Sequence, residues 1–237
     1  MMQANDVFKR YSRQIFIEEI GVEGQRDIGN AKVLVVGAGG LGSPVIQYLA
    51  AAGVGTLAVV DFDDVEIHNL NRQVIHREST VGQPKTESAA DFIRDFNSHI
   101  TFIPICQKID RENVQDLIRD YDIVVDGSDN FTTRYIVNDA CVVLNKPLVY
   151  GSIFAFEGQV TVFNFRGSKN LRDLFPEAPN PEDVPNCDRH GVLGPLPGIV
   201  GTMMAMQVLK MITGLPIVIN QLTIVDTLNW KFMTITF

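Results

Sequence analysis

Three glycines, one acid and two cations pose the chemical question. Gly37, Gly39 and Gly42 fall as G-x-G-x-x-G at the end of an apolar run, within KVLVVGAGGLGSPV (32–45). That spacing serves a tight turn, close approach of backbone to a phosphate, and close helix–strand packing. A helix opening near Gly40 would present free N–H groups and its positive dipole end to an anion. Asp61 ends the next apolar run, 22 residues beyond Gly39, where a carboxylate hydrogen-bonds a ribose hydroxyl. By itself this pattern suits NAD as well as any other nucleotide.

The segment DFDDVEIHNLNRQVIHRESTVGQPK (61–85) separates the possibilities. It places Asn69, Arg72, Gln73 and Lys85 just beyond the ribose acid. Hydride transfer has no general use for two cations and two amides there. Cleavage between phosphates does, because it develops charge that fixed cations stabilise. Asp126 and Asp129, in VVDGSDNFTTR, follow a further apolar run, and a carboxylate there can hold the Mg²⁺ that accompanies a nucleoside triphosphate. Taken singly, Arg72 and Lys85 could be surface charges and Asp129 a helix N-cap. Taken together they favour triphosphate chemistry over the alternative, an NAD-dependent Rossmann oxidoreductase.

The elements that must hold these residues can be read from periodicity. Residues from about Val7 to Ile28 follow a helical period, with Phe8, Tyr11, Ile15 and Ile20 on one side. Buried strands are expected at 32–37, 56–61, 101–105, 122–126 and 147–153. Helices are expected at 41–52, 84–96, 111–119 and 130–144. This alternation predicts an α/β fold: a Rossmann-like, doubly wound, mainly parallel sheet. EGQVTVFNF (157–165) alternates like an antiparallel strand. A long proline-rich loop without period (166–195), an apolar helix (196–213) and strands at 221–226 and 230–237 follow. The antiparallel strands are expected to extend the same sheet. One domain over 1–237 results, with a nucleotide-binding part to about 153 and a partner-binding part from about 154.

Composition narrows the partners. The chain has 237 residues, 46% hydrophobic and 20% charged, enough for a substantial core. A net charge of −8 argues against a nucleic-acid groove. The opening residues lack an apolar signal core and no run of about 18 apolar residues stands out, so a membrane span is not expected. Three scattered cysteines suit a reducing cytoplasm.

RYSRQI (10–15), GAGGLGSP (37–44), DFDDVEIHNLNRQ (61–73), GQPK (82–85), DGSDNFTTR (126–134) and NCDRHGVLGP (186–195) occur in an order that resembles the ThiF/MoeB/HesA family, relatives of the ubiquitin-activating enzymes. The resemblance runs from about Arg10 to the last strand. It implies an ATP- and Mg²⁺-dependent adenylyltransferase acting on the C-terminal Gly-Gly carboxylate of a ubiquitin-like sulfur carrier, of thiamine or molybdopterin type. The carrier then becomes a thiocarboxylate. By the same resemblance Gly40 sits by the phosphates and Asp61 holds the ribose. Asn69, Arg72 and Lys85 contact the triphosphate and Asp129 ligates Mg²⁺, while Asp63, Gln73 and Asn130 complete the nucleotide contacts. Arg13 reaches the ATP of the neighbouring subunit of a homodimer. A catalytically silent carrier-binding scaffold is a further alternative, as is activation of another peptide or RNA.

Two departures stand out. Many family members carry zinc on two C-x-x-C pairs, but here Cys106, Cys141 and Cys187 lie 35 and 46 residues apart, so no zinc is expected. His68, His76, His99 and His190 show no ligand spacing and read as surface or ribose-side residues. Cys187 stands where some members have a cysteine that links covalently to the carrier. Beside Arg189 and His190 it could be an activated nucleophile, or a spectator. Cys106 and Cys141 read as core residues.

Overall fold

The computed structural model describes residues 4–179 and 191–237. One eight-stranded sheet runs through it, in the order β3-β2-β1-β4-β5-β6-β7-β8. The strands are β1 Lys32–Val36, β2 Thr56–Asp61, β3 Thr101–Cys106, β4 Ile123–Asp126, β5 Leu148–Phe154, β6 Glu157–Phe163, β7 Gln221–Asp226 and β8 Lys231–Thr236. The first five run parallel to one another. β6, β7 and β8 add on antiparallel, as the alternation of 157–165 predicts. Because β1 continues to β2 on one side while β4 lies on its other side, the strand order reverses at β1/β4. A crevice opens there beyond the carboxyl ends of the strands.

Continuous β-branched strands are explained by two cores. Val33 and Val35 of β1 face α3 (Gly42–Ala52) and the C-terminal helix α8 (Pro195–Ile212), with α2 (Gly21–Asn30) and α4 (Lys85–Phe96) on the same side. Leu34 and Val36 face α5 (Val114–Ile118), α6 (Phe131–Val143) and α7 (Leu171–Leu174). α8 presses so closely on the sheet that a Cβ at Gly151 would strike Met204, and one at Gly158 would strike Val200. By length and composition α8 could also cross a membrane. Its apolarity is accounted for by Leu196, Val200, Met204, Ala205 and Val208, all buried in the core.

Several expectations need correction. The N-terminal helix is two helices, α1 (Ala4–Ile15) and α2, because Gly21 takes a left-handed φ of 59° and turns the chain. Expected helix 111–119 shrinks to α5, since the Asp110 carboxylate accepts the N–H groups of Glu112 and Asn113 in a turn. Residues 166–195 are not wholly irregular: Asn170 and Asp173 form a capping box that starts α7. Cys106 is exposed rather than core, because β3 is an edge strand, which also accommodates Pro104. Cys141 is buried.

Candidate functional site

At the end of β1 the chain reverses at Gly37, whose φ is 90°. A Cβ on Gly42 would run into the Gly37 carbonyl oxygen, so glycine is required where α3 crosses the turn. The intervening Ala38 is held through both of the peptide units that flank its Cα. Its N–H donates to Asp61 Oδ2 at 2.7 Å and its carbonyl lies 2.9 Å from His76 Nε2. Asp61 Oδ1 accepts the Asp63 N–H at 2.8 Å, fixing the carboxylate at the end of β2. Burial pushes the Asp61 pKa up, partly offset by the positive charge of Lys85.

Residues 61–85 leave the sheet and return. Val65 donates to the Gln83 carbonyl, Gly82 to the Val65 carbonyl, and Lys85 N–H to the Asp63 carbonyl. This return brings Lys85 Nζ within 2.8 Å of Asp63 Oδ2, on a side chain only 8% exposed. Arg72 is half-buried. It donates to the His68 carbonyl and to Asn71 Oδ1, and its Cγ lies over Gly40. Gln73 is buried with its amide beside Gly39. Asn69 is buried too, its Oδ1 accepting the Glu66 N–H. Gly37, Gly39, Gly40, Gly42, Asp61, Asp63, Asn69, Arg72, Gln73 and Lys85 therefore lie around one crevice.

On its β4 side, Asp126 pairs in register with Val36 and is fully buried. Its Oδ1 accepts both the N–H and the hydroxyl of Ser128. Asp129 and Asn130 are exposed at the following turn. The helix N-cap is Asn130, which accepts the Thr133 N–H, and Asp129 is not committed to capping. Buried Arg134 anchors this turn, donating to the Ser128 carbonyl at 2.6 Å and to the Gly151 carbonyl at 2.7 Å.

Arg13 stands apart. Its neighbours Tyr11 and Gln14 bond to Asn97 and to the Ala52 carbonyl, at the C-terminal end of α3. The glycine turn is at the other end of that helix, about 16 Å away by helical rise. Arg13 is exposed, with no hydrogen bond or ion pair among the described residues. Cys187 and His190 lie outside the described residues.

Some residues here carried no role in the sequence reading. His76, expected at the surface or beside the ribose, is buried beneath the glycine turn. Pro197 closes on Gly40, and Gly194 lies so near the Asn71 carbonyl that a Cβ would strike it. The start of α8 is thus a wall of the crevice. Only the quoted GVLGP stretch hinted at it, and without a role.

The residues fit a triphosphate. Arg72 lies over Gly40 at the start of α3, Lys85 lies beside Asp63 at the end of β2, and the Asp61 carboxylate there could accept a ribose hydroxyl. Ser43 Oγ and Thr86 Oγ1, in the first turns of α3 and α4, have no hydrogen-bond partner within the described residues. The exposed Asp129 carboxylate, touched only by the Asn130 amide at 3.5 Å, matches Mg²⁺, which takes one or two protein carboxylates beside phosphate oxygens. Among the described residues no group of three or more His, Cys, Asp or Glu could hold a metal by itself.

The profile of the ThiF family matches residues 11–237. The chain is 53% identical over 210 residues to the adenylyltransferase and sulfurtransferase MOCS3 of Danio rerio, covering 89% of this chain and 46% of that protein. It is 47% identical over 233 residues to MOCS3 of Sus scrofa, covering 98% of this chain and 51% of that protein. It therefore spans about half the length of these curated relatives. Among solved structures, E. coli MccB with MccA-N7isoASN superposes with a TM-score of 0.85 at 24% identity, over 96% of this chain and 71% of that one. PaaA superposes with a TM-score of 0.82 at 23% identity, over 99% of this chain and 74% of that one.

Proposed function

The chain belongs to the ThiF family, and from that premise we propose that it adenylates the C-terminal Gly-Gly carboxylate of a ubiquitin-like sulfur carrier at the expense of ATP, ahead of thiocarboxylate formation in a thiamine- or molybdopterin-type route. The observation that carries this reading is the placement of Arg72 over Gly40 and of Lys85 beside Asp63 and Asp61 at the end of β2. A hydride-transfer site has no need of that charge.

The carrier carboxylate attacks the α-phosphorus, the bond to the bridging oxygen of the β-phosphate breaks, and pyrophosphate leaves. No protein nucleophile takes part, so positioning and charge neutralisation supply the catalysis. The Gly39–Gly42 turn receives phosphate, Asp61 binds the ribose, and Asn69 and Gln73 line the crevice floor. Arg72 and Lys85 stabilise the charge that develops on the departing pyrophosphate. Asp129 would hold Mg²⁺, which when bound neutralises phosphate oxygens. Asn130 contributes through the cap that shapes this turn. No zinc is required.

Because Arg13 lies at the far end of α3 from its own glycine turn, its contribution to an ATP site comes from a second copy, in a homodimer. The carrier docks on the C-terminal part, about 154–237. There Phe156, Leu228 and Trp230 are exposed and line an apolar cavity of about 240 Å³ with Leu193 and Pro195. Cys187 is a candidate for covalent capture of the carrier, tested by mass spectrometry of an adduct that Cys187→Ser removes. For the adenylation itself, Arg72→Ala and Asp129→Ala are expected to abolish carrier-dependent ATP–pyrophosphate exchange without unfolding the protein. Undiminished exchange in both overturns the assignment.

A further inference from the structure

His76 is buried, and its ring bridges two elements that the proposed chemistry needs in register. Nε2 lies 2.9 Å from the Ala38 carbonyl oxygen and Nδ1 lies 2.8 Å from Ser88 Oγ of α4. A carbonyl only accepts, so Nε2 carries the hydrogen. In the neutral ring Nδ1 then accepts from the Ser88 hydroxyl. Thr80 Oγ1 lies 2.9 Å from both Ser88 Oγ and the Arg77 carbonyl; with the Ser88 hydrogen spent on Nδ1, the one Thr80 hydroxyl hydrogen serves one of these two acceptors. Burial lowers the His76 pKa, and so does the nearby positive charge of Lys85. The other charged groups around the ring are Asp61, which bonds the N–H of the same Ala38, Asp63 on Lys85, and Arg77 beside it in sequence, paired with Asp95.

We propose that His76 is a positioning residue for the nucleotide: it touches no phosphate, but through the Ala38 carbonyl it fixes which way the N–H groups of the glycine turn face. Asp61 holds the N–H of the same residue, so the ribose acid and the ring clamp the two consecutive peptide units on either side of the Ala38 Cα. Loss of the Nε2 donor leaves a buried carbonyl unpaired. The peptide is then free to rotate toward another donor, carrying Gly39 and Gly40 with it. Through Ser88 the same ring ties the turn to α4, whose first residue is Lys85.

This inference rests on the adenylation reading, and the two can fail separately. His76→Phe keeps the ring volume without either hydrogen bond, while His76→Gln retains an Nε2 donor at nearly the same place. Calorimetry with ATP is expected to give about tenfold weaker binding for His76→Phe and recovery to within about threefold for His76→Gln, the loss of one buried hydrogen bond. Carrier KM stays at the wild-type value, which general destabilisation would not leave untouched. Hydrogen exchange of the 38–42 amides is expected to quicken in His76→Phe, with or without nucleotide. If His76→Phe does not fold, Ser88→Ala replaces it, with an intermediate loss of ATP affinity. ¹⁵N NMR of the wild-type ring is expected to report the Nε2–H tautomer. Unchanged ATP affinity and amide exchange in His76→Phe, no recovery in His76→Gln, or the Nδ1–H tautomer would overturn the proposal. Wild-type protein that binds no ATP would instead overturn the adenylation reading, while the amide exchange still decides the role of His76.

Discussion

The Lys85 ammonium sits 2.8 Å from the Asp63 carboxylate, with the lysine side chain 8% exposed and the aspartate 50% exposed. One partner is nearly out of water while the other still reaches it. A buried cation of this kind must stay paired, since an unpaired one is strongly destabilising. An incoming phosphate, also an anion, can take over or share the pairing with the Lys85 ammonium. Asp63→Asn is therefore expected to lower the unfolding free energy by about 1–2 kcal/mol, discounted for the exposure of Asp63. Saturating ATP should restore more stability to this variant than to wild type. Thermal unfolding with and without ATP measures the difference.

Asp129 and Asn130 are adjacent but do different work. Asn130 caps α6, so Asn130→Ala should cost about 1 kcal/mol of stability. Asp129→Ala should leave the denaturant midpoint within experimental error while removing pyrophosphate exchange. Equal stability losses in the two variants would return Asp129 to a structural role.

Protonation of His76 is linked to stability with a definite sign. Its folded pKa lies below the unfolded value of about 6.5. The unfolded chain thus binds the proton more readily, so this contribution is complete above about pH 6.5 and is lost as pH falls toward the lowered folded pKa. Wild type should lose stability between pH 7.5 and pH 5.5, by at most about 1.4 kcal/mol per pH unit from this group. Urea unfolding of His76→Gln across the same range should lack that component.

The thiols offer a map of the crevice rim. Cys106 pairs in register with Asp61 and is exposed, whereas Cys141 is buried and its pKa is pushed up by burial. Iodoacetamide should modify Cys106 and spare Cys141 in the native protein, and ATP should slow the Cys106 reaction. Peptide mapping after timed labelling tests both statements. Indifference to ATP would move the nucleotide away from the β2/β3 edge.

Strand positions were legible in the sequence because both sheet faces are covered, which writes each parallel strand as an unbroken β-branched run. The glycine turn and Asp61 were legible because a tight turn and a strand end leave few residue choices. Local polar groups were less so. Asp110 unwound the expected start of α5 through a side-chain turn that hydrophobic period does not register. Gly21 broke a helix that periodicity joined. The bridging role of His76, which is buried and not at the surface, was not legible because its partners, Ala38 and Ser88, are 38 and 12 residues away, so no local spacing marks the bridge. The wall formed by Gly194 and Pro197 is likewise a contact between distant segments.

The seating of α8 has a consequence for how the chain acquires its shape during synthesis. Val35, Val125 and Val149 come from the first 153 residues, yet Met204 and Val208, which share their core, are translated after them. The emerging first 153 residues must wait on the ribosome with the part of that sheet face that α8 covers still exposed beside α3, so release of a chain truncated near residue 153 is expected to yield a sticky fragment.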